Sequence, residues 1–319
     1  MPKEMSLRWG RVKSSIFYSL VKGGIGLLPF GRYAAANWLM AQRILKLQAA
    51  IVKVLHGRWV VIPQAVSTWV LPFGLKEPAI QRVLASLLGR ADAFIDCGAN
   101  LGWYSFLASR AQEVQSIIAV EPVWQSVRFI EFIKRLNGIE NLRVVKACVS
   151  DHDGKASFCS ARGRFPEMGY VVASSGDAEG RGVADSQSYT LESIIRMVDP
   201  ALDRICIKVD VEGHETAVLS SMAPETMRKR VDSVVVEVHL YKFSKPVEEL
   251  RRVCSLVSVV GPPEFLILSR DLNAGYRRLW WHVTKRYPVL QLPVPEVLEL
   301  VKAHSLPELY VLARRGGIS

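Results

Sequence analysis

The chain is poor in cysteine, has no paired cysteines and contains no unbroken apolar run long enough to cross a bilayer. Its 5 cysteines are scattered and no C-x-x-C occurs. That excludes a disulfide framework and a cysteine-rich zinc site, and it points to buried thiols in a reducing compartment. Residues 16–30 come closest to a spanning segment, but Lys22 and three glycines interrupt them. A secretory leader is a poor match, because the apolar stretch is broken and no small-residue cleavage site follows it. No internal repeat is visible. Acids are scarce at the start: residues 1–90 hold Glu4 and Glu77 against 13 Lys and Arg, a net +11 that equals the net charge of the whole chain. Residues 91–319 therefore balance, and the basicity belongs to the N-terminal part. Half the residues are apolar, which excludes general disorder. At 319 residues the chain can bury a large core.

The most informative stretch present is Phe94-Ile95-Asp96-Cys97-Gly98-Ala99-Asn100-Leu101-Gly102. A short apolar run ends in an acid and small residues lead into a helical pattern. This is how a buried strand turns into a helix around a nucleotide-like ligand. A second acid, Glu121, closes the next apolar run, where doubly wound folds bind ribose hydroxyls. The third glycine of the dinucleotide fingerprint G-x-G-x-x-G is missing, so a pyrophosphate is a poor fit. A cationic, phosphate-free ligand suits a loop that carries an acid. S-adenosylmethionine, with an amine, a sulfonium and a ribose, meets that description.

Periodicity orders the rest. Residues 34–56 read as a helix, 58–70 as β-rich with a bend at Pro63, and 78–88 as a helix with proline in its first turn. Strands at 93–96, 117–120, 142–149 and 155–160 alternate with helices at 101–111 and 125–136. Residues 163–188, rich in Gly, Ser and charge, read as a loop or lid. A helix at 190–197, a strand at 205–209, a helix at 215–222 and strands at 233–238 and 309–312 follow. Strand, helix, strand in this rhythm predicts a doubly wound α/β fold with a mostly parallel sheet covered on both faces. The expected division is a basic, helical extension over 1–70 and a ligand-binding domain over 71–319. The segment 5–28, with Arg8, Arg11, Lys13 and Lys22, reads as a helix docked on the core or lying on an anionic membrane surface. The expected location is the cytoplasm, with peripheral attachment to the inner face of the membrane through that segment. The patch Tyr276-Arg277-Arg278-Leu279-Trp280-Trp281-His282 mixes bases and aromatics. It reads as a sugar- or base-stacking surface, a membrane-interface patch or a solvated basic face.

Six blocks, F-I-D-C-G-A-N-L-G-W-Y-S, A-V-E-P, A-C-V-S-D-H-D-G-K-A-S-F, Y-T-L-E-S-I, I-K-V-D-V-E-G-H-E and V-V-E-V-H, follow one another over about residues 75–240. In that order they resemble the FkbM family of methyltransferases. The most specific block is the one from Lys208 to Glu215. Glu192 departs from the family's usual T-L-D. The resemblance implies an S-adenosylmethionine-dependent O-methyltransferase on a Rossmann-like, seven-stranded class I fold, acting on a hydroxyl of a sugar, glycolipid or related small molecule. It implies that Asp96, Gly98, Ala99, Asn100 and Gly102 hold the methionine part, with Tyr104 beside them as ligand contact or core. It places Glu121 at the ribose, Cys148 near the adenine, Asp210 and Glu212 at the methyl-transfer region, and Glu237 and His239 at the rim.

For the base that takes the hydroxyl proton, His239 and Asp210 both qualify. Lys208 is expected to neutralise the acids around it. Asp210, Glu237 and His239 are donors a divalent metal accepts, but no tight ligand spacing calls for one and none is expected. The competing acceptor is RNA or another nucleic acid, drawn by the N-terminal charge. Against it, Asp210-Val211-Glu212-Gly213 stands where amine methylases carry a D/N-P-P-Y/F pattern, and an acidic rim repels phosphate. A nicotinamide dehydrogenase lacks support without the third glycine. A binding module without catalysis leaves the acids unexplained.

Overall fold

The structure is a computed structural model that describes residues 49–53, 59–63, 78–160, 169–171, 182–266, 293–304 and 308–316, which fall in two units. The described strands of the smaller unit are β1 (Ala49–Lys53) and β2 (Trp59–Pro63), an antiparallel pair with Ile51 opposite Val61. Residues 49–53 had read as the end of a helix. Their β-branched Ile51 and Val52 lie opposite Val61 and Val60, and a short apolar run with such a partner takes the extended form. The expected segment 5–28, the rest of the 34–56 helix and the 276–282 patch lie outside the described residues.

The larger unit is built on a seven-stranded sheet. Its strands are β3 (Ala93–Cys97), β4 (Ser116–Val120), β5 (Leu142–Val145), β10 (Ile205–Val209), β11 (Val231–Val238), β12 (Glu264–Leu266) and β13 (Leu309–Arg314). They lie in the order β12-β13-β11-β10-β3-β4-β5. The pairs from β11 to β5 are parallel, and β13 runs antiparallel to β11 and β12. Every residue of β3, β10 and β11 is buried, as expected of parallel strands covered on both faces.

The helices alternate with these strands: α1 (Pro78–Leu88), α2 (Trp103–Ala108), α3 (Trp124–Asn137), α4 (Leu191–Ile195), α5 (Glu215–Ser220), α6 (Pro224–Arg230), α7 (Pro246–Val257) and α8 (Val294–His304). In α1, Ile80, Leu84, Leu87 and Leu88 share one buried face. Thr190 caps α4 by accepting from Ser193 N at 3.1 Å. Glu192, the departure from the family pattern, accepts from Ala223 N at 3.2 Å and Thr226 Oγ1 at 3.0 Å, so it ties α4 to α6. Among the described residues no helix is long and apolar enough to cross a membrane.

Residues 142–149 do not form one strand. Leu142–Val145 stays in the main sheet, while β6 (Cys148–Ser150) pairs in a second sheet with β9 (Gly182–Thr190), β7 (Gly154–Ser160) and β8 (Gly169–Val171). Residues 169–171 and 182–188 of the expected loop at 163–188 are thus strand. Its Gly- and Ser-rich composition hides this, because β9 is fixed by nine residues that include seven register partners on β7 rather than by an apolar pattern. Residues 161–168 and 172–181 lie outside the described part.

The chain runs outward through β3, β4 and β5, then returns to the other side of β3 at β10. Ligands of open α/β sheets bind at such a reversal, beyond the carboxyl ends of the strands. There Gly98 N and Ala99 N both donate to Val120 O at 3.0 Å, and Asp210 N donates to Cys97 O at 3.1 Å. Gly98 has φ 76°, and a Cβ on it would lie 1.9 Å from Asp210 O. Only glycine permits that approach. Gly98→Ala is expected to cost at least about 2 kcal/mol. Denaturant unfolding of the full chain reads this, and an unchanged midpoint would contradict the close approach of the two strand ends.

Candidate active site

The carboxyl ends of β11, β10, β3 and β4 place Glu237, Asp210, Asp96 and Glu121 at one end of four neighbouring strands. Such a gathering of acids is unstable unless a cation sits among them. Lys208 is that cation. It lies opposite Asp96 in the β3–β10 register, is 1% exposed, and its Nζ donates to Asp210 Oδ2 at 2.9 Å. Burial alone would lower its pKa, but Asp210, Asp96 and Glu237 raise it above the ordinary lysine value. The expected neutralising role therefore holds. Tyr104, 4% exposed at the start of α2, sets its ring 4.8 Å from Lys208 Nζ, so its role in the structure is to shield that ammonium within the core.

Asp96 is fully buried. Its Oδ2 accepts from Ser105 N at 3.1 Å and Ser105 Oγ at 2.7 Å, which anchors the start of α2 to the end of β3. Its Oδ1 has no hydrogen-bond partner among the described residues. Burial raises its pKa, against the pull of Lys208. Glu121 holds the loop from the other side. Its Oε2 accepts from Asn100 N at 2.8 Å and its Oε1 from Val123 N at 2.9 Å. Burial pushes its pKa up to about 7 in spite of those two bonds. Asn100 and Gly102 both take left-handed backbone, φ 50° and 75°, which lets the loop turn twice within three residues. Ala99 is buried beneath the loop. Cys148 lies in β6 against Val123 and Ala156, and burial pushes its thiol up to about 11, so it acts as a small apolar residue.

The other half of the site follows β10. Glu212 takes φ 56°, uncommon for a residue with a side chain. Lys242 holds it there, donating to Glu212 O at 2.9 Å and to Glu212 Oε2 at 2.6 Å. Glu215, 0% exposed in the first turn of α5, accepts from Gly213 N at 2.9 Å and bonds His239 Nδ1 at 2.7 Å through the same Oε1. His239 Nε2 then faces Glu212 Oε2 at 3.7 Å and Asp210 Oδ1 at 3.8 Å. Burial would lower the His239 pKa, but the Glu215 bond and the carboxylates of Asp210, Glu215 and Glu212 raise it to about 9. His239 was expected to qualify as the base, but in the structure this ring holds a proton at pH 7. Glu237 is buried, and its Oε2 accepts from Tyr310 Oη at 2.6 Å. His214 bonds Ser150 Oγ at 2.9 Å through Nε2, linking the start of α5 to the second sheet.

The structure thus brings Asp96, Glu121, Asp210, Glu212, Glu237 and His239 to one rim. Sequence reasoning missed Ser105, Glu215, Lys242 and Tyr310. Glu215 lay within the quoted K-V-D-V-E-G-H-E block, and its place in the first turn of a helix was the available signal. Ser105 likewise ended the quoted F-I-D-C-G-A-N-L-G-W-Y-S block, whereas Lys242 and Tyr310 have no local signature.

A family model described as the Methyltransferase FkbM domain matches residues 96–277, more than half of the chain. No curated protein matches the sequence. Similar solved structures include Methyltransferase FkbM from Methylobacillus flagellatus KT, at 16% identity over 73% of this chain, with a TM-score of 0.37. This chain spans 54% of that protein's length. A SAM-dependent methyltransferase from Agrobacterium tumefaciens is similar at 10% identity over 84% of this chain and 70% of that one, TM-score 0.43. A putative methyltransferase from Streptococcus mutans in complex with SAH is similar at 9% identity over 75% and 99%, TM-score 0.38.

Two outcomes are expected of this charge arrangement. Lys208→Met leaves buried carboxylates without their cation and should destabilise the chain by about 3–5 kcal/mol in urea unfolding at pH 7. A smaller loss than about 1 kcal/mol would mean that the acids are neutralised otherwise. Glu121 holds its proton more tightly folded, at about 7, than at its ordinary 4.5. Its contribution to stability is therefore complete below pH 4.5 and lost as pH rises through 7. The fall in unfolding free energy across that window should be shallower in Glu121→Gln, and equal slopes would contradict the burial of its charge.

Proposed function

The chain belongs to the FkbM methyltransferase family, and we propose that it moves the methyl group of S-adenosylmethionine to a hydroxyl of a sugar, glycolipid or related small molecule. It is a methyltransferase on a Rossmann-like class I fold, with S-adenosylmethionine as cofactor. One observation carries the reading: acids from four adjacent strands open at one sheet end, beside a glycine loop drawn tight against the neighbouring strand.

The residues present fit the cofactor. The unpartnered, buried Asp96 Oδ1 is an acceptor for a cationic group. Glu121 has lone pairs beyond its two backbone bonds for ribose hydroxyls. Gly98, Ala99, Asn100 and Gly102 would supply backbone beside the methionine part, and Cys148 would stand near the adenine. When bound, S-adenosylmethionine supplies an electrophilic methyl on a sulfonium. The chain's own task is then placement, for which effective molarities reach about 10⁵–10⁸ M.

Asp210, Glu212, Glu237 and His239 surround the place where an acceptor hydroxyl lies. Lys208 fixes one oxygen of Asp210, and Glu215 fixes the ring of His239, so the two groups that accept the hydroxyl proton are held still. Either Asp210 Oδ1 or His239 Nε2 receives it. His239 acts as base in the fraction of molecules in which Nε2 has lost its own proton. A neutral, hydroxyl-rich acceptor suits a carboxylate rim that hydrogen-bonds sugar hydroxyls and repels phosphates. The alternative acceptor, RNA or another nucleic acid, draws on the basic residues 1–90. Those same residues suit peripheral contact with an anionic membrane surface.

Labelled methyl donor incubated with the protein and cellular glycans, lipids and RNA is expected to label the glycan or lipid fraction. Label in RNA alone would replace this reading with the alternative. Calorimetry should show binding of S-adenosylhomocysteine and none of NAD. Asp210→Asn should keep that binding while turnover falls by about 10²–10⁴-fold, and unchanged turnover would remove Asp210 from the chemistry.

A further inference from the structure

We infer that Asp210, Glu212 and His239 form a binding site for one divalent cation of the Mn²⁺ kind. One ligand atom from each lies within 4.8 Å of the others. The sequence hides this, because 29 positions separate Asp210 from His239 and no short ligand motif spans them. The sheet places the ends of β10 and β11 side by side, and the turn at Glu212 brings a second carboxylate back toward the first.

The observation that singles out a cation is the state of His239. The residue is 3% exposed. Its Nδ1 is engaged by a fully buried carboxylate at 2.7 Å. Its Nε2 is aimed at Asp210 Oδ1 and Glu212 Oε2 from 3.8 and 3.7 Å, too far for a hydrogen bond to either. Carboxylate to imidazole to metal is the arrangement by which proteins orient a ligating histidine and raise its basicity. Here Glu215 is the outer carboxylate. Oxygen–nitrogen separations of 3.7–3.8 Å need to close by up to about 0.8 Å to become neighbouring octahedral ligands of an ion with bonds of about 2.1–2.6 Å.

Charge supports the same occupant. Asp96, Asp210, Glu212, Glu215 and Glu237 are gathered around His239 and Lys208, while Lys208 and Lys242 are the ammonium groups bonded into the set. The carboxylates outnumber the ammonium groups, so a cation between Asp210, Glu212 and His239 enters a negative field even with Lys242 bonded to Glu212. Because the His239 ring is protonated at pH 7, the ion binds by displacing the Nε2 proton to solvent; one nitrogen and two carboxylates, with remaining positions open, then suit Mn²⁺ better than a thiolate-seeking ion. With the ion bound, His239 Nε2 is a ligand and not a base, and the open positions would take water or the acceptor hydroxyl, whose proton a metal makes easier to lose to solvent. That role rests on the methyl-transfer reading, whereas the site itself does not.

The experiment uses the full chain stripped of metal by chelation. Mn²⁺ is added and the free ion is followed by its electron paramagnetic resonance signal. One saturable equivalent is expected. Asp210→Asn and His239→Gln should weaken it at least about 100-fold, and Glu215→Gln by about 10–100-fold through loss of the ring's orientation. Glu308→Gln should leave it within about twofold, since Glu308 belongs to a different trio with Glu237 and His239. Circular dichroism confirms that each variant is folded, and the graded Glu215→Gln effect stands in if either ligand variant is not. Absence of saturable binding, or binding that survives both Asp210→Asn and His239→Gln, would overturn the site. Loss of binding in Glu308→Gln would overturn this choice of ligands. Calorimetry with S-adenosylhomocysteine on the same samples reads the donor site separately, so failure of one is not failure of the other.

Discussion

A buried ammonium among carboxylates is the constraint on which the rest of this structure depends. Lys208 reaches from the middle of the sheet to Asp210 and lies beside Asp96 and Glu237. Without it, the ends of three adjacent strands would carry like charges in a region that water barely reaches. With it, the strands stay paired up to Val209 and their acids stay at one end of the sheet. The cost of burying that lysine is offset only because several acids share it. The same residues are thus both the support of the fold and the lining of the site.

The tight contact at Gly98 is the geometric counterpart of this charge constraint. Asp210 N bonds Cys97 O, and the glycine leaves no atom between the loop and the end of β10. Glu121 ties the far side of the same loop through Asn100 N and Val123 N. The loop is therefore set before any ligand arrives, from one neighbouring strand on each side. Pre-set loops of this kind lower the ordering cost of binding. On the other side of β10, Lys242 and Glu215 do the same work for Glu212 and His239. Each group that faces the rim is held by a partner behind it.

How much of this was legible in the sequence follows from the range of each interaction. The central strands were readable, because β3, β4, β10 and β11 are apolar runs of the length that parallel strands need. The glycine loop, Asp96, Glu121, Asp210 and Glu237 were readable because each acid ends such a run. The pairing of His239 with Glu215, of Glu212 with Lys242 and of Glu237 with Tyr310 was not, since the partners lie 24, 30 and 73 residues apart. The proton on His239 was hidden for the same reason. The second sheet was missed because a polar, glycine-rich strand such as β9 is chosen by its partner. The strand at 49–53 was read as helix because Ala, Ile and Val satisfy both periods over so short a span.

The central claim is that the rim beyond the Gly98 loop and the end of β10 receives the sulfonium donor. A crystal structure of the full chain with S-adenosylhomocysteine tests it most directly. The account places the ribose at Glu121, the amino acid part beside Asp96 and Gly98, and the sulfur toward Asp210 and His239. Electron density for the ligand at any other part of the sheet, or a ribose that does not touch Glu121, would contradict it.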